Sequence, residues 1–446
     1  PNGVTVGQNT VPFVAENGFI TNNVTDATVG ATGIAGLVMN TKVGLQSFSK
    51  NNTPVGAVYA KTKTLNNGTI TMTGRPTDGA VAMYTKYGKV ENSVSGKVNI
   101  EDDNSIGLYG IDSSQVLNTG TVNVKGNSSL GLYGVSDDLL NPTVTGASGV
   151  LLRQDATGII NVEGTDSAGI YGTKVRTVAG KTYTVENNGT INVNNGDSLG
   201  IYSDNVNVTT VGNINLNDIS VNTAGNRVGV YAQGTDATVT TTGANINLGT
   251  KDQTNIAYYV TNNAKLSGAN LGTVSGYGIL AAAQDTTVNN TTMPTAITGT
   301  NGQIGLALLG TNTYGYTGDI TVGNTVVSGL DKFYGIAMYT DNQNISNLSN
   351  KLTAGANGVG LYAGGNTGST LTYNGQIAAG DGITAGIGIF VKEGSNVNLA
   401  SGGNVHLKGA NGVGAYVENN GEFTFSSGSS MTFDKFNNTR SLRNKK

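Results

Sequence analysis

The sequence predicts an all-β protein, a right-handed parallel β-helix of about 16–17 coils with roughly 25 residues in each. Two observations lead to this prediction. Apolar residues alternate with small polar residues in short runs, and two glycine motifs return along most of the chain at a constant distance from each other. Repeats of this length are typical of solenoids, so the 446 residues predict one long repeat domain rather than several globular ones.

Each short run has the pattern of a β-strand with one buried face. In Thr190-Ile191-Asn192-Val193, apolar and polar residues alternate, and a period of two places successive side chains on opposite faces of a strand. Gly and Asn, which accept the positive φ angles of turns, lie between the runs. No apolar period of 3.6 residues persists, so we expect no helix of normal length.

The first repeated motif is Gly-[Leu/Ile/Val/Ala]-Tyr, with Phe in place of Tyr in one copy. Its clear copies begin at Gly107, Gly131, Gly169, Gly200, Gly229, Gly360, Gly388 and Gly414. Looser copies, such as those at Gly56 and Gly149, extend the series from residue 36 to residue 414. The mean step between copies is about 25 residues, which is the length expected for one coil.

The second motif is Gly-x-[Ile/Val]-x-[Val/Ile/Leu/Met]. Its copies begin at Gly68, Gly96, Gly120, Gly158, Gly189, Gly212, Gly318 and Gly403. In six repeats the glycine of the first motif follows 11 residues later, a spacing that chance would not keep. A third short strand, [Leu/Val]-x-Asn-x-Gly, precedes the second motif, as in Val116-Leu117-Asn118-Thr119-Gly120. Each repeat therefore predicts three strands separated by turns.

One such repeat cannot bury its apolar face alone, whereas stacked repeats can. We expect strands of successive coils to pair in parallel, about 4.8 Å apart, in a rod roughly 80 Å long. An up-and-down barrel or a sandwich would instead show hairpin turns every 8–12 residues or so, without the longer period. The repeat is also longer than that of a left-handed β-helix.

The alternation assigns an inner and an outer side to both motifs. In residues 120–124 the two valines are expected to point inward, and the Thr and Asn side chains outward. In residues 130–134 the same rule places both leucines inside, and Gly131 and Tyr133 outside.

Repetition of this pattern predicts an external stripe of aromatic rings. The stripe consists of Tyr109, Tyr133, Tyr171, Tyr202, Tyr231, Tyr362, Phe390 and Tyr416. Two interpretations are open. Stacked rings can form a ladder that stabilises neighbouring coils, or the seven tyrosines can form a ligand-binding surface of apolar faces and hydroxyls. Asn67, Asn118, Asn187 and Asn374 are expected in turns, as hydrogen-bonding ladders or as residues with positive φ.

Five segments lengthen the repeat and predict loops, which often form the binding face of a solenoid. They are residues 135–148, 173–188, 218–227, 284–300 and 311–333.

The composition argues against most catalytic chemistries. The chain has no Cys, one His and only 12% charged residues, about half the usual charged share of a soluble domain. We therefore predict no thiolate nucleophile, no metal centre, no cofactor and no enzyme activity. A formal charge of −3 predicts no nucleic-acid partner.

The few candidate catalytic groups have ordinary structural interpretations. Glu101-Asp102-Asp103 and Asp137-Asp138 are the densest acidic spots, but other repeats carry Asn, Gly or Thr there. We expect these acidic residues to be solvated turn residues rather than a calcium site. His406 is expected on the outer face, where other coils carry Asn or Thr.

The phased repetition of Gly189-Thr190-Ile191-Asn192-Val193 and Ser129-Leu130-Gly131-Leu132-Tyr133-Gly134, with the absence of Cys, resembles the passenger domain of a type V autotransporter. The giant outer-membrane adhesins of oral fusobacteria are the most similar. The resemblance implies N-terminal coils at 1–35, a β-helical passenger at 36–433 and a polar, basic tail or linker at 434–446.

The resemblance also implies a function and a location. The chain would be an extracellular passenger on the bacterial surface, a virulence factor that binds a host-cell receptor or glycan, or partner bacteria in coaggregation. Membrane attachment would take place only through a C-terminal barrel that this chain lacks. Two alternatives stay open: a β-helical polysaccharide lyase or hydrolase, and a purely structural stalk or filament segment.

Overall fold

The computed structural model describes residues 4–6, 13–16, 19–23, 37–39, 43–48, 62–73, 79–111, 114–136, 151–175, 183–218, 225–365, 368–392, 394–434 and 443–445. Within them the protein is all-β, with parallel strands stacked as a β-solenoid of about 13 turns and about 26 residues per turn. The predicted fold class is thus confirmed. Some counted repeats, including those at Gly56 and Gly149, lie outside the described residues.

The chain forms two compact units. Unit 1 consists of Pro1–Tyr231 and Asp236–Ile246, and unit 2 of Ala232–Thr235 and Asn247–Lys446. Both units contain a first sheet, built from strands of the first motif, a second sheet from the second motif, and a third sheet from the strand that precedes the second motif.

In unit 1 each coil contributes one strand to each sheet, and strand labels follow chain order. The first sheet contains β2 (Phe13–Glu16), β5 (Val43–Phe48), β8 (Val81–Lys86), β11 (Ile106–Ile111), β14 (Leu130–Ser136), β17 (Ala168–Lys174), β20 (Leu199–Asp204) and β23 (Val228–Gln233). The second contains β1 (Val4–Val6), β4 (Leu37–Met39), β7 (Thr69–Met72), β10 (Lys97–Ile100), β13 (Thr121–Val124), β16 (Ile159–Val162), β19 (Thr190–Val193), β22 (Asn213–Leu216) and β25 (Asn245–Asn247). The third contains β3 (Phe19–Asn22), β6 (Lys63–Asn66), β9 (Lys89–Asn92), β12 (Gln115–Asn118), β15 (Leu151–Gln154), β18 (Thr184–Asn187), β21 (Asn207–Thr210) and β24 (Thr238–Thr240).

Unit 2 repeats this arrangement with one additional hairpin. Its first sheet contains β26 (Ile256–Thr261), β29 (Gly278–Gln284), β32 (Gln303–Leu309), β37 (Ile336–Asp341), β40 (Val359–Gly364), β43 (Ile387–Val391), β46 (Val413–Glu418) and β49 (Arg443–Lys445). The second contains β31 (Ala296–Thr298), β34 (Asp319–Val322), β39 (Lys351–Ala354), β42 (Gln376–Ala379), β45 (Asn404–Leu407) and β48 (Ser430–Phe433), and the third β38 (Asn344–Leu348), β41 (Thr370–Tyr373), β44 (Asn396–Leu399) and β47 (Glu422–Phe425). The other strands are β27 (Lys265–Ser267), β28 (Thr273–Ser275), the parallel pair β30 (Thr287–Asn289) and β33 (Thr313–Gly315), and the antiparallel hairpin β35 (Val326–Ser328) and β36 (Asp331–Phe333).

The core lies between the sheets and is built from the inward columns of the repeat. In β13, Val122 and Val124 are fully buried, whereas Thr121 and Asn123 face outward and are half-buried, as the alternation predicts. Parallel in-register pairing places Val122 beside Val98 in the preceding coil, and identical residues therefore stack in columns.

The first motif departs from strict alternation, and one prediction is wrong there. Leu132 is buried and Tyr133 faces outward, but Leu130 is only half-buried. Gly131 faces the interior, because a Cβ there would lie 3.2 Å from Cγ2 of Ile160 and 2.5 Å from the carbonyl oxygen of Gly169. Since two consecutive residues point inward, the strand bends at the glycine. The glycine is thus required by close backbone approach to the next coil.

Part of the predicted tail is a strand, since Arg443–Lys445 forms β49 and pairs in parallel with β46. Among the described residues, no helix is long and apolar enough to span a membrane.

Candidate functional site

The predicted aromatic stripe is a ladder of contacting rings in unit 1. The parallel register aligns Tyr84, Tyr109, Tyr133, Tyr171 and Tyr202 in one column. Ring centroids are separated by 5.4, 4.9, 5.2 and 4.4 Å along this column, and Tyr231 follows 5.0 Å from Tyr202. Four of these five separations lie within the range of favourable aromatic pairs, about 4.5–7 Å, and the Tyr171–Tyr202 pair lies just below it.

Unit 2 has its own, shorter ladder. Tyr339, Tyr362, Phe390 and Tyr416 follow one another at 5.0, 4.9 and 5.0 Å. In β29 and β32 the same column holds Ala282 and Ala307, which are fully buried. The aromatic column is therefore not continuous through unit 2.

Ring contacts occupy much of the surface that a ligand would use. Burial raises the pKa of the Tyr202 hydroxyl, and the neighbouring Tyr171 and Tyr231 raise it further. Three of the five ring contacts in the unit 1 column are stacked and two are edge-to-face, and both arrangements are typical of a stabilising ladder. A ligand-binding role stays a prediction for Tyr109, Tyr133, Tyr171, Tyr202, Tyr231, Tyr362 and Tyr416.

A second ladder, of buried amides, runs through the third sheet of unit 1. Asn66 Nδ2 donates to Asn92 Oδ1 at 2.8 Å, Asn92 Nδ2 to Asn118 Oδ1 at 2.8 Å, and Asn118 Nδ2 to Gln154 Oε1 at 2.6 Å. All four side chains are fully buried. The predicted hydrogen-bonding ladder is thus confirmed at Asn118.

The other predicted asparagines differ in position. Asn187 continues the buried column and donates to Thr210 Oγ1 at 3.1 Å. Asn67 lies one residue beyond the buried Asn66 and donates to Asn23 at the surface. Asn374 is exposed, because in unit 2 the inward position of the third sheet is filled by the preceding Tyr373, which is fully buried.

The sequence reasoning did not predict two further ladders. On the outer face of the second sheet, amides join in sequence from Asn215 through Asn192, Asn161 and Asn123 to Asn99, at 2.8–2.9 Å. Buried serines also connect coils, since Ser129 Oγ accepts from the Ser105 amide at 3.0 Å. Their signal was present in the sequence, as Asn within the second motif and as Ser two residues before the glycine of the first motif.

Only one of the predicted insertions forms a projection among the described residues. Segments 135–148, 173–188 and 218–227 lie wholly or partly outside them. The loop prediction for 284–300 is wrong, because this segment forms β30 and β31 and buries Val288 and Ile297 completely. Its strands have three residues each, too short for the motif pattern to reveal.

Most of segment 311–333 also belongs to the solenoid, because it contains the strands β33 and β34. Only the hairpin β35–β36 projects from it. Leu330 at its tip is fully exposed. The ring of Phe333 stacks on Tyr277 at 4.3 Å, and Gln253 Nε2 donates to the carbonyl oxygen of Tyr334 at 2.6 Å. The base of the hairpin is therefore fixed to its own unit.

The acidic spots have structural partners, and the prediction of solvated residues is wrong for Asp102, which is buried. Glu101 pairs with Lys125 at 2.9 Å, and Asp103 Oδ1 accepts from the Asn127 amide at 2.7 Å. Asp137 and Asp138 lie outside the described residues. In the part of the chain that the structure describes, no three His, Asp or Glu side chains are grouped to hold a metal ion.

A depression at the surface of unit 2 lies on the outer face of its second sheet. It is a groove of about 260 Å³, lined by Lys351, Gln376, Ile377, Ala378, Asn404, His406 and Lys408. The outer column of this sheet reads Thr321, Thr353, Ala378, His406 and Thr432. The groove thus forms where the column has its smallest side chain.

The groove carries an excess of positive charge. Among the described residues, neither Lys351 nor Lys408 forms an ion pair. His406 Nε2 lies 2.6 Å from Asp434 Oδ1, so this carboxylate is engaged by the imidazole. Asp381 is turned into its own loop, where Oδ1 accepts the amides of Ile383 and Thr384.

The equivalent positions of unit 1 provide a contrast. Lys97 begins β10 as Lys351 begins β39, but the outer column beside it holds Asn99, which is part of the amide ladder. Lys125 follows β13 as Lys408 follows β45, but its ammonium pairs with Glu101 at 2.9 Å. In unit 1, therefore, Asn99 fills the outer column and Glu101 neutralises Lys125.

His406 lies where the sequence predicted, on the outer face and in register with Ala378 and Thr432. The two lysines and Ala378 were missed, although aligning the second motif at residues 376–379 would have shown Ala in a column of Asn and Thr. Comparison of the chain with protein-family models and with curated proteins gives no match.

Proposed function

We propose that this chain is the passenger region of a bacterial cell-surface adhesin, displayed outside the outer membrane by an autotransporter. The observation that carries the proposal is the set of ladders in unit 1, in which amides, serine hydroxyls and aromatic rings each join a coil to its neighbours. Because such contacts are nearest-neighbour contacts, each coil can add to a folded coil as the chain emerges.

This property suits a chain that crosses a membrane unfolded and folds outside it. The absence of Cys supports the same proposal, since no disulfide can form before translocation. Outward columns of Asn, Thr and Tyr present a polar, low-charge surface, to which a host-cell receptor, a glycan or a partner bacterium would bind.

An adhesion assay tests the proposal. Beads coated with the purified chain should attach to epithelial cells or to partner bacteria well above beads coated with a non-binding protein. A variant in which residues 327–332 are replaced by two glycines removes the exposed hairpin tip and keeps its buried base. Loss of attachment by this variant would place the contact on the hairpin, and unchanged attachment would place it elsewhere.

The two alternatives give different results. A polysaccharide lyase or hydrolase would release reaction products from acidic or neutral glycans, and reproducible turnover would contradict the adhesin proposal. A structural stalk would neither attach beads to cells nor release products.

A further inference from the structure

We propose that the groove over Ala378 binds an acidic saccharide, with its carboxylate or sulfate held by Lys351 and Lys408. This inference rests on the proposed adhesin function and specifies its ligand. It assigns the site to the second sheet of unit 2 rather than to the aromatic ladders.

The charges and their spacing support an elongated anion. Lys351 and Lys408 lie two strands apart and four residues apart along the strand direction. With about 4.8 Å between strands and about 3.3 Å per residue, their Cα atoms are about 16 Å apart. The two ammonium groups can therefore contact opposite ends of a bound molecule, or one can contact an end and the other a charged substituent. Neither ammonium group is neutralised by a described carboxylate.

The rest of the lining suits a sugar. The carboxamides of Gln376 and Asn404 offer donors and acceptors to hydroxyl groups, and the methyl group of Ala378 gives a ring face a small apolar contact, whereas the Ile377 side chain is buried in the core. The volume of about 260 Å³ is just below the range of about 300–1,000 Å³ for drug-sized ligands, so it accepts one or two sugar rings. An acidic peptide would use the lysines but would present backbone amides rather than hydroxyl groups to Gln376 and Asn404.

The groove exists because the outer column is interrupted. In unit 1, Asn123 fills this position and bonds to Asn99 and Asn161 at 2.8 Å. Asn in place of Ala378 would fill the groove with the residue that the fold already accepts in this column, without changing any charge. Ala378→Asn therefore separates the shape of the groove from its electrostatics.

Isothermal titration calorimetry on the full chain tests the proposal with four probes: sialyllactose for a carboxylate, a chondroitin 4-sulfate disaccharide for a sulfate, lactose as the neutral sugar, and hexaglutamate as the acidic peptide. We expect at least one acidic saccharide to bind about tenfold or more tightly than lactose and hexaglutamate. The preferred acidic probe identifies the anionic group. Lactose or hexaglutamate binding as tightly as both acidic saccharides would overturn the proposal.

The variants locate the binding. Ala378→Asn should weaken it about tenfold, and Lys351→Gln and Lys408→Gln about two- to fivefold each, as expected for exposed charges. Lys97→Gln, which removes an equivalent lysine beside a filled column, should change it by less than about 1.5-fold. Far-UV circular dichroism confirms folding, and the two surface glutamine variants test the site even if Ala378→Asn does not fold. Unchanged binding by the folded variants would refute the site.

The cell assay separates this proposal from the adhesin function. If the chain attaches to cells and Ala378→Asn attaches equally well, the groove is refuted as the adhesive site and the adhesin proposal stands. If acidic saccharides bind in the groove but no cell is bound, the adhesin proposal fails and the saccharide site stands.

Discussion

Replacing one buried amide of the third sheet should destabilise unit 1 far more than replacing an equivalent amide on the outer face. Asn92 accepts from Asn66 Nδ2 and donates to Asn118 Oδ1, both at 2.8 Å, and is fully buried. Asn123 makes the same two ladder bonds, with Asn99 and Asn161, at a half-buried position. The two ladder bonds are thus matched, whereas access to water differs and Asn92 Nδ2 also donates to the carbonyl oxygens of Gly96 and Thr121 at 3.2 Å.

The expected costs follow from this difference. In Asn92→Ala, the two ladder hydrogen bonds, worth about 1 kcal/mol each, are lost together with two longer bonds to backbone carbonyls, and the buried Asn118 Oδ1 loses its donor at a further cost of about 1–3 kcal/mol. The free energy of unfolding should fall by about 3–5 kcal/mol. In Asn123→Ala, water replaces the lost partners, so we expect a fall of about 1 kcal/mol.

Guanidinium unfolding followed by far-UV circular dichroism measures the total effect. Because a solenoid can open locally, amide hydrogen exchange of the coils that contain Asn66 and Asn118 should accompany it. Asn67→Ala is the surface control, since among the described residues this half-buried side chain bonds to the exposed Asn23, and it should cost less than about 0.5 kcal/mol. Equal losses for Asn92→Ala and Asn123→Ala would refute the reasoning.

Two further predictions concern close packing and buried hydroxyls. Gly131→Ala should lower the unfolding free energy by about 2–4 kcal/mol, because its Cβ would lie 2.5 Å from the Gly169 carbonyl oxygen. Gly315→Ala is the control, since its Cβ would lie 3.8 Å from the nearest atom, Cβ of Asn289, and it should have little effect in the same denaturant assay. Burial raises the pKa of the Tyr373 hydroxyl well above its usual value, near 10 in unfolded chains. Above about pH 10 the unfolded chain loses this proton and the folded chain keeps it, so stability should fall as pH rises. Tyr373→Phe should make that fall less steep, and an unchanged slope between pH 9 and 11.5 would contradict the assignment.

The repeat made the fold predictable. Two regularities determine which residues meet between coils. Polarity alternates with a period of two within strands, and in six repeats the second-motif glycine precedes the first-motif glycine by 11 residues, as Gly96 precedes Gly107. The inward position of Val122 and the stacking of Tyr109 on Tyr133 follow directly from parallel, in-register pairing. Local patterns and global packing give the same answer here, as expected for minimally frustrated sequences.

Predictions were weaker where the pattern depends on backbone direction rather than on polarity. Alternation placed Gly131 outside, but the bend at this residue turns it inward, and glycine has no side chain to reveal its direction. Segment 284–300 was expected to be a loop because its strands are short and lack the motif glycine, yet Val288 and Ile297 are buried. The groove was missed because it depends on one small residue, Ala378, and on two lysines in different coils.

These observations explain where a solenoid of this kind can acquire a binding site. An inward column cannot easily change one member, because the neighbours of a lost amide, such as Asn118 beside Asn92, stay buried without a partner. An outward column can, because water satisfies the partners of a lost amide. Ala in place of Asn at an outer position therefore costs little and opens a groove between two intact coils. In unit 2, the apolar residues Leu348, Tyr373 and Leu399 replace the inward amide column together rather than singly, whereas the outer column changes residue by residue, from Thr353 to Ala378 to His406.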